Sequence, residues 1–269
     1  MPELPEMETY RRLLSSRIID RPLTDVEVGR EKSINVPVPV FRETLIGNSI
    51  TGIERRAKHL LFYLSSGEKL LLHLMLGGWM FYGRPEDKPD RTVQVEVSFG
   101  DERLYFIGLR LGYLHLHKEA EVESLLGKLG PEPLSPDFTA ERLTGLLSGK
   151  RGILKTTLVD QSFLSGIGNC YSDEICFEAG LLPSRTLPTL TGPETRRLSI
   201  SMQAVLKEAV AYGGYMEDPL YKGDRLTGGY NERCRVYDRK GEPCLRCGRP
   251  VIQVELASRK CFYCENCQH

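Results

Sequence analysis

Four cysteines near the C-terminus, Cys244, Cys247, Cys264 and Cys267, form two C-x-x-C pairs separated by sixteen residues. That gap falls within the window for a zinc site, in which four thiolates surround one ion tetrahedrally at about 2.3 Å. The gap is long enough for a hairpin, so the tail reads as a β-hairpin clasped by one structural Zn2+. Cys261 forms a competing C-x-x-C with Cys264, but that register leaves only thirteen residues between the pairs, so Cys261 is placed outside the metal shell. A disulfide-linked tail is the alternative, and it needs an oxidising compartment to which nothing else here points. Cys170, Cys176 and Cys234 are scattered and read as buried, reduced thiols.

The other end carries a second constellation. Pro2 follows Met1, and removal of that methionine would leave a secondary amine at a helix start. An α-amino group has a pKa near 8, so roughly a tenth is unprotonated at neutral pH and able to attack a sugar aldehyde carbon. Glu3 and Glu6 lie three apart, on one helical face beside that amine, and carboxylates so placed can move protons. The plainer alternative is that they complement the helix dipole. Two further features suit phosphate. Glu54-Arg55-Arg56-Ala57-Lys58-His59 is a basic knot, and from Lys222 onward ten Lys and Arg stand against six Asp and Glu. Ser165-Gly166-Ile167-Gly168-Asn169 is a glycine hairpin leading into a helix, where backbone N–H groups can cradle an anion. Solvated charged faces and an ordinary helix–helix turn are the competing readings.

Elements that would position these groups follow from periodicity. Met7, Tyr10, Leu14 and Ile18 recur at helical spacing over Pro2–Ile18. From about Pro22 to His117, short apolar or alternating runs are punctuated by Ser66-Gly67, Gly77-Gly78 and Gly100-Asp101, which predicts a sandwich or barrel. Gly127 to Pro136 is rich in proline and glycine and reads as a linker. Helices are expected over Thr139–Leu147, Ile153–Val159, Asn169–Ala179 and Pro193–Ala211. The expected division is 1–125, a linker at 126–137, a helical part at 138–230 and the finger at 231–269. His73 is expected to be packed, and His115 and His117 to share a solvated face. The 269 residues carry formal net charge zero, so any nucleic-acid contact must come from local stripes rather than a basic whole. No signal peptide or membrane-spanning run is evident, and a soluble cytoplasmic monomer is expected.

Met-Pro-Glu-Leu-Pro-Glu at 1–6, Arg56-Ala57-Lys58, the run Gly166 to Glu174 and the four-cysteine tail ending Cys267-Gln268 occur together and in order. Jointly they resemble the formamidopyrimidine-DNA glycosylase and endonuclease VIII family across essentially the whole chain, leaning to the first branch. The resemblance implies an α+β multidomain fold: an N-terminal helix plus β-sandwich, a helix–two-turn–helix domain and a zinc-finger hairpin. It implies an enzyme of base-excision repair that removes oxidised bases, formamidopyrimidines and 8-oxoguanine among them, from double-stranded DNA and then cuts the backbone. On that resemblance Pro2 is the nucleophile at C1′, Glu3 the general acid/base with Glu6 in support, and Lys58 a phosphate holder. Asn169 with Gly168, Arg259 and Lys155 contact the DNA backbone, and a duplex base must first be flipped out to be reached.

The sequence departs from the family where the void left by the flipped base is filled by methionine, arginine and phenylalanine. Leu76 stands at the methionine position, Arg110 matches the arginine that reads the opposite cytosine, and Leu111 replaces the phenylalanine. Leucine can still wedge between bases, without the aromatic stacking worth roughly 1–3 kcal/mol per base. The Gly213–Gly229 stretch also differs from the family's lesion-capping loop. Three rivals follow: an endonuclease VIII-like enzyme for oxidised pyrimidines, a non-catalytic lesion-binding protein, and a zinc-finger regulator indifferent to damage.

Overall fold

A computed structural model describes all 269 residues. Helix α1 (Leu4–Ile18) starts as its prolines predict: Pro5 sits in the first turn, where a missing N–H costs nothing. Its stripe of Met7, Tyr10, Leu14 and Ile18 is buried in the largest core. The chain continues through β1 (Asp25–Val28), α2 (Val38–Leu45), β2 (Ile50–Arg56), β3 (His59–Leu64), β4 (Lys69–His73), β5 (Trp79–Gly83), β6 (Val93–Phe99), β7 (Glu102–Ile107), β8 (Tyr113–His117) and α3 (Glu119–Leu126). Two four-stranded antiparallel sheets result, ordered β1-β6-β7-β5 and β2-β3-β4-β8. Their inward residues, among them Leu60, Phe62, Leu72, Val95, Val97 and Phe106, share one core with α1.

Helices α4 (Ala140–Leu147), α5 (Leu154–Leu158), α6 (Asn169–Ala179) and α7 (Gly192–Ala211) follow. Gly180 ends α6 in the left-handed conformation (φ 67°), as glycine does at helix C-termini. Thr191 caps α7 by accepting from the Glu194 N–H. Strands β9 (Ile252–Leu256) and β10 (Arg259–Tyr263) pair as the expected hairpin. Phe177 of α6 is buried with Val236, Cys244, Val251, Phe262 and Cys264, so the finger shares a core with a helix.

The chain gathers into two compact units: residues 1–128 with 216–229, and 129–215 with 230–269. The stretch 216–229, which sequence alone assigns to the helical part, packs with the sandwich. Leu220 is fully buried in the sandwich core, the Tyr82 N–H donates to its carbonyl at 2.6 Å, and Arg17 lies over the Tyr221 ring. Asp224 braces the loop from inside, accepting from the N–H groups of Leu220, Leu226 and Thr227.

Candidate active site and zinc centre

In the first unit the N-terminal turn buries Pro2, Glu3 and Glu6 together. Glu3 precedes α1 in extended conformation, and its N–H donates to Glu6 Oε2 at 2.8 Å. Glu6 therefore caps an N–H that the helix itself leaves unpaired while sitting one turn from residue 2. Both expected roles, helix cap and carboxylate beside the amine, coexist in one geometry. Tyr10 is buried one turn further on; burial, reinforced by Asp218, Glu6 and Asp224, pushes its phenol far above its ordinary pKa, so it stays neutral.

Lys58 stands in the two-residue turn between β2 and β3, with Arg56 and His59 as the closing pair. Ala57 takes φ 54° there, a left-handed conformation costing a non-glycine residue roughly 1–2 kcal/mol. Strain of this kind gathers at functional sites. Lys58 itself is only 4% exposed. Of the basic knot, Arg55 is committed to Glu8 at 3.1 Å. Beside Lys58, His59 and His73 face each other across β3 and β4, ring centroids 4.2 Å apart. Burial, then the His73 ring, lowers the His59 pKa to about 3; burial, then Lys58, lowers that of His73 to about 4. His115 stacks on Tyr113 at 4.1 Å and is half-buried with His117, which corrects the expected solvated face: α3 packs over this sheet through Val122, against Leu61 and Leu71.

Leu76 and Leu111 are 72% and 66% exposed, among the most exposed large apolar side chains of the protein, and Arg110 is exposed beside Leu111. They sit on two loops, β4–β5 and β7–β8, that touch backbone to backbone. A Cβ on Gly108 would lie 1.9 Å from the Gly77 carbonyl oxygen, and one on Gly112 2.3 Å from that of His73. A cleft of about 660 Å³ opens beside them, lined by Gly77, Trp79, Arg91, Gln94, Arg110 and Asp218.

In the second unit, Gly168 and Asn169 begin α6. Gln161 scaffolds the preceding turn, accepting from the Gly166 N–H and donating to the Ile167 carbonyl. The Asn169 side-chain oxygen is buried with no partner within the chain. Arg259 is exposed at the start of β10, just past a turn whose residues Ala257 and Ser258 both have positive φ, 51° and 58°, the twist that a two-residue hairpin requires. Lys155 corrects an expectation. It is fully buried and paired with Asp173 at 2.6 Å, so it cannot touch a phosphate directly. Adjacent Asp173 and Glu174 are both fully buried within α6. Sequence reasoning gives them no role, although two neighbouring carboxylates in a helix otherwise rich in apolar residues are the available signal.

The sulfurs of Cys244, Cys247, Cys264 and Cys267 all lie within 4.8 Å of one another. Cys244 and Cys267 are 3.9 Å apart, Cys247 and Cys264 3.5 Å. A tetrahedron of sulfurs about 2.3 Å from one ion has edges of about 3.8 Å, whereas a disulfide needs about 2.05 Å. The four fit one structural zinc. Cys261 lies outside the cluster, its thiol directed to Asp173 at 3.4 Å.

Family models match nearly the whole chain: the N-terminal domain of formamidopyrimidine-DNA glycosylase at residues 1–113, its H2TH domain at 129–218, and the zinc finger found in FPG and IleRS at 241–269. The chain belongs to the formamidopyrimidine-DNA glycosylase family. A formamidopyrimidine-DNA glycosylase of Moorella thermoacetica is 39% identical, with 94% of each chain covered, and one of Pelotomaculum thermopropionicum is 36% identical over 100% of this chain and 99% of its own. Among solved structures, the Lactococcus lactis Fpg bound to DNA containing an abasic site superposes with TM-score 0.92 at 28% identity, covering 99% of each chain. A mutant of that enzyme, bound to Fapy-dG-containing DNA, gives 0.91 at 28% identity over all of both chains. The architecture is the family's, with helix plus sandwich, H2TH helices and zinc hairpin all present.

Proposed function

We propose that this protein is a DNA glycosylase with AP-lyase activity that excises oxidised bases of the formamidopyrimidine type from double-stranded DNA. The observation that carries the reading is the N-terminal turn, which buries Pro2, Glu3 and Glu6 side by side in a family whose members bind abasic and Fapy-dG DNA. With Met1 removed, the Pro2 nitrogen attacks C1′ of the extruded nucleotide and the base leaves with its bonding electrons. Ring opening gives an iminium on Pro2. Loss of a proton from C2′ then expels the 3′ phosphate, and hydrolysis releases the amine. Glu3 transfers the protons at the sugar, and Glu6 holds the Glu3 backbone in place.

Lys58, fixed by the strained turn at Ala57, holds one phosphate; Asn169 with the Gly168 backbone, and Arg259, hold others. Such contacts supply sequence-independent affinity and offset the few kcal/mol of extruding a base. Leu76 and Leu111, exposed on interlocked loops, enter the stack the base has left, with Arg110 at the opposite base. The zinc is structural. The protein is expected to act as a monomer on the cytoplasmic nucleoid; no helix is long and apolar enough to cross a membrane.

Borohydride reduction tests the reading. With abasic-site duplex the Met-trimmed protein should give a covalent adduct, confirmed as amino-terminal by mass spectrometry. Pro2→Gly should still bind and lose most of the trapping. Trimmed protein that binds abasic DNA without trapping would leave a non-catalytic lesion binder as the better account.

A further inference from the structure

Two carboxylates that the chemistry above does not use are fully buried in the middle of α6. Asp173 Oδ1 accepts from Lys155 Nζ at 2.6 Å and from the Cys261 thiol at 3.4 Å, while its Oδ2 accepts the Phe262 N–H at 3.0 Å. Lys155 Nζ also donates to the carbonyl of Asn169 at 3.1 Å. Next door, Glu174 accepts three successive backbone N–H groups, from Arg235, Val236 and Tyr237, at 2.8–2.9 Å. One turn of helix is thus bonded both to the segment entering the finger and to its outgoing strand.

An arrangement of this kind is costly if stability is its only purpose. Desolvating two charges can exceed their mutual attraction, and apolar replacements of a buried pair are often as stable. What this pair does uniquely is geometric. Asn169 lies one helical turn from Asp173, about 6 Å along the axis, and Arg259 lies three residues before Phe262, about 10 Å along β10. A tilt of about 10° of the hairpin about its anchor would carry Arg259 by about 1.7 Å, enough to break a hydrogen bond of ordinary length.

We propose that Asp173, held by Lys155, is a positioning residue that fixes the spacing between Asn169 and Arg259, so that these two engage the DNA backbone as a single rigid clamp. This rests on the phosphate-holding roles given to Asn169 and Arg259 above. Cys261 belongs to the device: burial, then the Asp173 carboxylate, pushes its thiol up to about 12, so it remains an S–H donor to Asp173 at neutral pH.

The test uses the full, zinc-loaded chain. Affinity is measured on a duplex carrying a tetrahydrofuran abasic analogue across a salt series, and borohydride trapping on a natural abasic duplex at saturating DNA. Asp173→Asn should keep one zinc per chain yet bind at least tenfold more weakly. Its slope of log affinity against log salt should fall by about one, for the phosphate that Arg259 no longer neutralises (the neutral Asn169 contributes affinity but no counterion release), while trapping at saturation stays within about twofold of the parent. Combined with Arg259→Ala, its effect should be clearly less than additive, since both variants release the same phosphate. Additive effects, or an unchanged salt slope in zinc-loaded Asp173→Asn, would overturn the proposal. If Asp173→Asn fails to hold zinc, Cys261→Val and Cys261→Ser decide. Valine should weaken binding and serine restore it; identical binding by both and by the parent refutes the device. Failure of the catalytic reading would show separately, as absence of trapping in the parent. Failure of the phosphate reading would show as unaltered binding by Asn169→Ala and Arg259→Ala.

Discussion

Replacing Gly108 by alanine isolates what the loop pair beneath Leu76 and Leu111 does. Gly108 has φ 72°, and its new methyl would stand 1.9 Å from the Gly77 oxygen, 2.6 Å from the Gly77 carbonyl carbon and 3.0 Å from the Gly78 Cα. All three are backbone atoms, so no side chain can rotate away. Gly100 provides the control: its φ is 73°, and nothing lies within 4 Å of a Cβ built on it. Gly100→Ala therefore measures the conformational cost alone, about 1–2 kcal/mol. Gly108→Ala adds the clash. A carbon and a carbonyl oxygen need about 3.2 Å, so one loop must move by about 1.3 Å, and overpacking of this order costs roughly 1–3 kcal/mol more. At about 2–4 °C per kcal/mol for a chain of this size, the melting temperature should fall by roughly 2–8 °C for Gly100→Ala and roughly twice that for Gly108→Ala. The functional consequence is sharper, because the displaced loops carry Leu76, Arg110 and Leu111. With both variants folded at 25 °C, Gly108→Ala should excise a formamidopyrimidine lesion at least tenfold more slowly, while Gly100→Ala excises it normally. Trapping on a pre-formed abasic site should suffer less, since no base need be extruded. Equal melting temperatures for the two variants, or unchanged excision by Gly108→Ala, would refute the loop argument.

Two other outcomes are expected. A zinc chelator should abolish DNA binding and expose the core that Phe177 shares with Phe262 and Cys264, since thiolate zinc supplies about 10–16 kcal/mol to the folding of small fingers; zinc-free protein with full affinity in a gel-shift assay would contradict this. Acid should destabilise the first unit through His59 and His73, whose folded pKa values of about 3 and 4 lie below the ordinary 6.5. Their stabilisation is complete above pH 6.5 and is lost as pH falls toward 4, because the unfolded chain gains protons first. The slope is at most about 1.4 kcal/mol per pH unit for each ring, and exchanging both for glutamine should flatten it in urea titrations at pH 7 and 5; an unaltered slope would remove the histidines from the account.

Much of the fold is legible in the sequence because its signals are local. The stripe of α1, the glycine hairpin that opens α6, and each C-x-x-C pair declare themselves within a dozen residues. Helix α2 does not. Pro37, Val38, Pro39 and Val40 argue against a helix by composition, yet Pro37 stands at the N-cap and Pro39 within the first turn, where no N–H is missed. Phe41 and Leu45 then bury one face. The 216–229 loop escapes sequence reasoning for a different reason. Its glycines and polar residues announce turns, but whether Leu220 fills the sandwich core is settled by residues more than a hundred positions earlier.

Charged residues are the hardest to place from sequence, and Lys155 shows why. A lysine shortly ahead of a glycine hairpin has the local look of a phosphate ligand, and nothing within a few residues argues otherwise. What decides its role is desolvation and the partner that compensates it. Here that partner, Asp173, lies 18 residues on, and Asp173 in turn holds a thiol 88 residues further along. Leu76 and Leu111 err in the opposite direction: apolar by type, they belong by default in a core, yet they stand in solvent. In both cases the residue contradicts its own transfer preference, and such contradictions are sustained where the surrounding fold enforces them. A lysine and a carboxylate in the interior and two leucines in water therefore direct mutagenesis better than the polarity of the sequence does.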